Sequence, residues 1–200
     1  MYLTENQTDA LTELINIGFS KSASSLSELT GYRILLGTPS VRLLPISELS
    51  NVLSDIVHDR IVTVHQIFNG VISGDAMLIL NQNDSKNLVS LMLDDIASDS
   101  LSNASVKDVL SEVGNIMLNS CLGMFGNILK IRITFTVPHL QLETLENLIR
   151  TITIDNVEIS YALMVSMEFR LRDKAINSYL ILVLGITSLE QLLFEIEKLG

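Results

Sequence analysis

Two rows of acid and amide side chains carry the chemistry that this sequence offers. Asp9, Glu13 and Asn16 are spaced so that, at about 100° per residue, they fall within roughly 60° of one another on a helix. Asp108, Glu112 and Asn115 repeat that spacing 99 positions later. A carboxylate suits a cationic partner group, and a carboxamide both donates and accepts hydrogen bonds. Either row alone reads as a solvated helix face, because surface helices carry acids routinely. Three observations favour function. Asn is a poor helix-interior residue, yet it recurs mid-helix in both copies. The matched positions are disproportionately polar, whereas a merely structural duplication should preserve its core pattern best. Finally, 22 residues separate each Asn from a downstream proline, Pro39 or Pro138.

The elements that position these rows follow from the same repeat. Residues 9–39 reappear at 108–138 without a gap, with Ile17 matching Ile116 and Arg33-Ile34 matching Arg132-Ile133. Further on the match loosens, and 74–80 resembles 177–184. Each half reads as helix, strand, one or more further strands, then helix, the last near 84–94 and 187–199. The first helix is expected from about Thr8 to Leu29, on the stripe Leu11, Leu14, Ile15, Gly18, Ser22, Leu26 and Leu29, closed by Gly31. Arg33 to Leu44 reads as a strand interrupted by Pro39, which an edge or bulge tolerates. Ile61–Phe68 and Val71–Leu80 flank Asn69-Gly70, a strong hairpin signal. Leu148–Ile154 and Glu158–Leu171 flank Asp155-Asn156, a second hairpin candidate, and Ser178–Ile186 reads as a central strand. The polar stretch 94–105 reads as the linker between repeats of about 1–98 and 105–200. The expected fold class is α/β (α+β): one domain over 1–200 with pseudo-two-fold repeats, its long helices packed on a mixed, largely antiparallel sheet.

Composition narrows the function classes. With 48% hydrophobic and 18% charged residues, the 200-residue chain has ample core material and is not disordered. Its longest apolar run, Tyr179–Ile186, is far short of the roughly 20 residues a membrane span needs. The N-terminus has no secretory pattern and Cys121 stands alone, so a cytoplasmic location is expected. A net charge of −10 with scattered Lys and Arg argues against nucleic acid and anionic membranes as partners. His58, His65 and His139 lack ligand spacing, so no metal site is expected. Cys121, inside an apolar helix segment, reads as a core residue.

The pattern Asp-x3-Glu-x2-Asn-x22-Pro, present at Asp9/Glu13/Asn16/Pro39 and at Asp108/Glu112/Asn115/Pro138, resembles the signature of the CheC, CheX and FliY phosphatases. The resemblance covers essentially the whole chain. Two copies at this length look like CheC. CheX carries one copy in a shorter chain, and FliY adds a C-terminal domain for which no room is expected after Gly200. The resemblance implies hydrolysis of the aspartyl phosphate of a response-regulator receiver domain. By it, Asn16 and Asn115 would orient the attacking water, and Glu13 and Glu112 would pair with the receiver's lysine. Asp9 and Asp108 would support docking at the edge, while Pro39 and Pro138 would shape the strand starts behind the helices. No cofactor is implied in this chain, and Mg2+ would sit in the receiver. Two other readings stand beside this one: a non-catalytic adaptor that binds receivers, and a partner of a CheD-type receptor deamidase. A monomer is expected, since the repeat already supplies two sites.

Overall fold

The computed structural model describes residues 1–57, 60–92, 103–155 and 160–199. The chain opens on helix α1 (Glu5–Thr30), which starts about one turn before the expected Thr8. Thr4 explains the start: its hydroxyl accepts from the Gln7 N–H, and the Gln7 side chain accepts from the Thr4 N–H. This reciprocal pair satisfies two of the donors that a helix start leaves open. Gly31 ends the helix in the left-handed region, φ 71°, its N–H donating to the Ser27 carbonyl. Leu11, Leu14, Ile15, Gly18, Ser22 and Leu26 are buried as the stripe requires, joined by Phe19 and Ala23. Leu29 is not; at 55% exposure it lies where the helix has outrun the core.

After α1 come β1 (Ile34–Leu36), β2 (Ser40–Pro45), α2 (Ile46–Ser54), β3 (Arg60–Gly70), β4 (Gly74–Asn81) and α3 (Gln82–Met92). The same order then recurs as α4 (Asn103–Ile128), β5 (Ile133–Phe135), β6 (His139–Thr144), α5 (Leu145–Asp155), β7 (Ser160–Leu171), β8 (Lys174–Gly185) and α6 (Ile186–Glu197). One sheet unites the halves, in the order β1-β7-β8-β4-β3-β5, with β2 also lying along β7 and β6 along β3. The halves meet at β4 and β8 in the centre, and each lends its β1–β2 or β5–β6 arm to the other half's hairpin. Every pairing among the described residues is antiparallel, so the largely antiparallel sheet expected from sequence is antiparallel throughout them.

Helices cover both faces. α1, α3, α4 and α6 bury the larger core, which holds Phe19, Phe68, Phe125 and Phe169. α2 and α5 bury a smaller one through Leu49, Leu53, Leu148 and Ile152. Each such side chain contributes about 1.5–3 kcal/mol relative to exposure. Two glycines set how closely α4 can sit. A Cβ on Gly18 would lie 3.0 Å from the Cys121 Cα, and one on Gly114 only 2.5 Å from the Val64 Cγ2.

Several local expectations change. The stretch Leu148–Ile154 is helix α5, not a strand, and Asp155 closes that helix, so no hairpin forms there. Asn156 lies outside the described residues. The hairpin that β7 does make is with β8, through Arg172-Asp173, where Arg172 adopts φ 54°. Asn69-Gly70 is not a turn either: β3 runs through Gly70, and the connection to β4 is Val71-Ile72-Ser73. Gly70 is instead a point of close backbone approach, since a Cβ would fall 2.1 Å from the Arg132 carbonyl oxygen. Helix α2 was not foreseen. Residues 94–102 of the expected linker lie outside the described residues, and from Asn103 the chain is already helical.

Candidate active site

Helices α1 and α4 place the two rows as the spacing requires. Asp9 and Glu13 are exposed and Asn16 is half-buried; Asp108 and Glu112 are exposed and Asn115 is half-buried. Each Asn thus stands where an exposed acidic face meets the core, next to buried Ile15 or Gly114. Among the described residues none of the four acids is tied up in an ion pair. Their charge is therefore open to a cationic partner. The rows stay separate, one per helix, and no hydrogen bond among the described residues joins them.

Pro39 is buried and Pro138 half-buried, each directly before β2 or β6. Residues 37–39 lie opposite only two residues of β7, between the pairs Leu36–Phe169 and Ser40–Ser166. Residues 136–138 do the same against β3, between Phe135–Phe68 and His139–His65. Each proline therefore sits in a bulge of an edge strand, where its missing N–H is harmless.

The second row has support that its residue types did not announce. Gln66, on β3 and buried, donates through Nε2 to the Thr136 carbonyl at 2.8 Å and to Asn119 Oδ1 at 3.1 Å. Asn119 Nδ2 donates in turn to Asn115 Oδ1 at 2.6 Å. The Thr136 carbonyl fixes the sense of all three amides. Because a carbonyl only accepts, Gln66 must present its nitrogen, Asn119 its oxygen inward and its nitrogen outward, and Asn115 its oxygen. Thr136 is itself pinned, its N–H donating to the Ile67 carbonyl and its hydroxyl accepting from the Ile67 N–H. Gln66 Oε1 is buried with no hydrogen-bond partner among the described residues, a cost of about 1–3 kcal/mol. The sequence did carry a signal for this residue: Gln66 takes an inward turn in the alternation Val62, Val64, Gln66, Phe68. Asn119 lies four residues after Asn115, on the same helix face.

Other candidates form no site. His65 bonds Asp75 at 2.7 Å beside a recess of about 30 Å³, room for a water or two. His139 is exposed, and His58 lies outside the described residues. Cys121, on α4, is fully buried against Ser22 of α1; burial pushes its thiol well above the usual range, as befits an inert core residue. No group of three or more His, Cys, Asp or Glu among the described residues could hold a metal ion. None of their helices is long and apolar enough to cross a membrane.

The fold and the two rows define a class: an internally duplicated α/β protein that presents an acid–acid–amide row on each of two paired helices. Comparison with known proteins gives it relatives. A model of the CheC-like family matches residues 7–42, which hold the whole first motif. The flagellar motor switch phosphatase FliY of Bacillus subtilis is 27% identical over 142 residues, covering 70% of this chain and 36% of FliY. The CheY-P phosphatase CheC of the same organism is 26% identical over 151 residues, covering 70% of this chain and 68% of CheC. The chain thus spans about a third of FliY's length and two thirds of CheC's. Among solved structures, Thermotoga maritima FliY superposes over 100% of both chains with a TM-score of 0.77 at 21% identity. The CheX–CheY–BeF3–Mg complex of Borrelia burgdorferi gives 0.51 at 18%, covering 84% of this chain and 96% of that one. The FliM middle domain of H. pylori gives 0.58 at 13%, covering 96% and 99%. At these identities the structures show a shared fold. The matches together support the CheC/CheX/FliY family for this chain.

Proposed function

We propose that this protein hydrolyses the aspartyl phosphate of a response-regulator receiver domain in the cytoplasm. The observation that carries the reading is the pair of half-buried amides, Asn16 and Asn115, each set beside two unpaired exposed acids on a helix held from behind by the core. An aspartyl phosphate is already activated, and in phosphoryl transfer a protein contributes mainly positioning and electrostatics. The water oxygen attacks phosphorus in line, and the bond from phosphorus to the receiver's aspartyl oxygen breaks. The products are a free carboxylate and inorganic phosphate. Asn16 and Asn115 orient that water; Glu13 and Glu112 face the receiver's lysine; Asp9 and Asp108 extend the acidic face at its edge. The Mg2+ belongs to the receiver and no cofactor is required of this chain. The names of the relatives FliY and CheC point the same way.

The test is the decay of phosphorylated receivers with wild-type protein, Asn16→Ala, Asn115→Ala and the double variant. Wild type accelerates decay and each single variant retains part of it. The folded double variant loses on the order of a hundredfold while still binding the receiver. Binding without any acceleration, across several receivers, would give first place to the adaptor reading.

A further inference from the structure

The two helices are not equally equipped. In the first repeat the place of Asn119 is taken by Ser20, which is exposed. The place of Gln66 is taken by Met167: each lies two residues before a buried phenylalanine, Phe68 or Phe169, that pairs with the last residue of β5 or β1. Asn16 accordingly has no side-chain hydrogen bond to any described residue, whereas Asn115 is the end of an amide relay anchored on the Thr136 carbonyl. Met167 shows that this strand position packs well without a polar group. Gln66, by contrast, leaves its own Oε1 buried and unpaired, so its presence is not explained by packing.

Resting on the phosphatase reading, the geometry points to Gln66 and Asn119 as positioning residues that lock Asn115, so that the two sites turn over unequally and the one on α4 is the faster. The lock does two things. It removes the rotational freedom of the Asn115 amide, which Asn16 must give up on each encounter. It also fixes the sense of the amide, engaging Oδ1 from behind and leaving both Nδ2 hydrogens and one Oδ1 lone pair for the water.

The experiment measures receiver dephosphorylation in an Asn16→Ala background, where only the α4 site works. Gln66→Met, which copies the strand position behind the α1 site, lowers kcat on the order of tenfold with KM unchanged, and Asn119→Ala does the same. Thermal stability of Gln66→Met does not fall, because the unpaired buried oxygen goes with the substitution; a merely structural Gln66 would show the reverse split. In an Asn115→Ala background Gln66→Met leaves the remaining turnover alone. Side-chain amide relaxation adds a reading independent of turnover: Asn115 is more ordered than Asn16, and Gln66→Met loosens it. Unchanged kcat in both variants, or equal order at the two amides, overturns this inference alone. A wild-type protein with no turnover on any receiver overturns the phosphatase reading and this one together.

Discussion

Where β4 runs into α3, Asp84 sits half-buried. Burial raises its carboxyl above the usual value of 3.8, partly offset by hydrogen bonds from the Asn177 backbone and the Asn81 side chain. Burial, and then the charge of Asp84, raises Tyr179. A carboxyl with a raised folded value favours the protonated folded state. Its contribution is present in full below 3.8 and is lost as pH rises through the folded value. Asp84→Asn, which keeps an acceptor for the Asn177 N–H, is therefore expected to raise the melting temperature at pH 7 by about 1–3 °C. The gain shrinks toward pH 4, and paired thermal melts across that range check it; a gain independent of pH would remove the explanation. Residues of this kind show what sequence can and cannot deliver. The two rows were legible because helix periodicity alone puts Asp9, Glu13 and Asn16 together, and the duplication supplied a second instance. The amide relay was not, because Gln66 and Asn119 are 53 residues apart and meet only when α4 lies on β3.

How α4 lies on β3 is decided by Gly114. A methyl there would enter the space of both Val64 γ-carbons and its Cβ, none more than 2.7 Å away, and a β-branched residue in a strand has little freedom to yield. Gly114→Ala should cost about 1–3 kcal/mol in a denaturant melt and lift the helix that carries Asn115 and Asn119. Turnover at that site falls with it, and adding Val64→Ala restores part of both. A Gly114→Ala protein of wild-type stability and rate would show that the helix position is not set here. Elements were read best where one period dominated, as in α1, β8 and the edge strands broken at Pro39. They were misread where composition and spacing disagree. In α5 the run of Ile and Thr has strand propensity, yet Leu145, Leu148, Ile149 and Ile152 recur at helical intervals, and Leu148 and Ile152 are the ones buried. Asn69-Gly70 misled because glycine there serves an approach to Arg132 rather than a reversal of the chain.

At the scale of the molecule, neither half can complete itself. β7 needs β1–β2 on one side, β3 needs β5–β6, and α1 packs on α4. The second half alone, residues 103–200, is expected to pair as a two-fold dimer in which each copy's β5–β6 arm lies along the other's β7. Light scattering on that fragment decides it, and a folded monomer would contradict the arm exchange. The repeat made two halves of one body legible, but not which strands cross between them, since arm and recipient share no periodic mark. The exchange also has a bearing on how the protein is made. Ser40 pairs with Ser166, so at about 5–20 residues per second the β2 arm waits roughly 6 to 25 s on the ribosome for its partner. Through that interval Val41, Leu43 and Leu44 have no strand to lie beside. The sheet can close only after β7 has been synthesised, so a translational pause between α5 and β7 leaves an open strand edge available to other nascent chains.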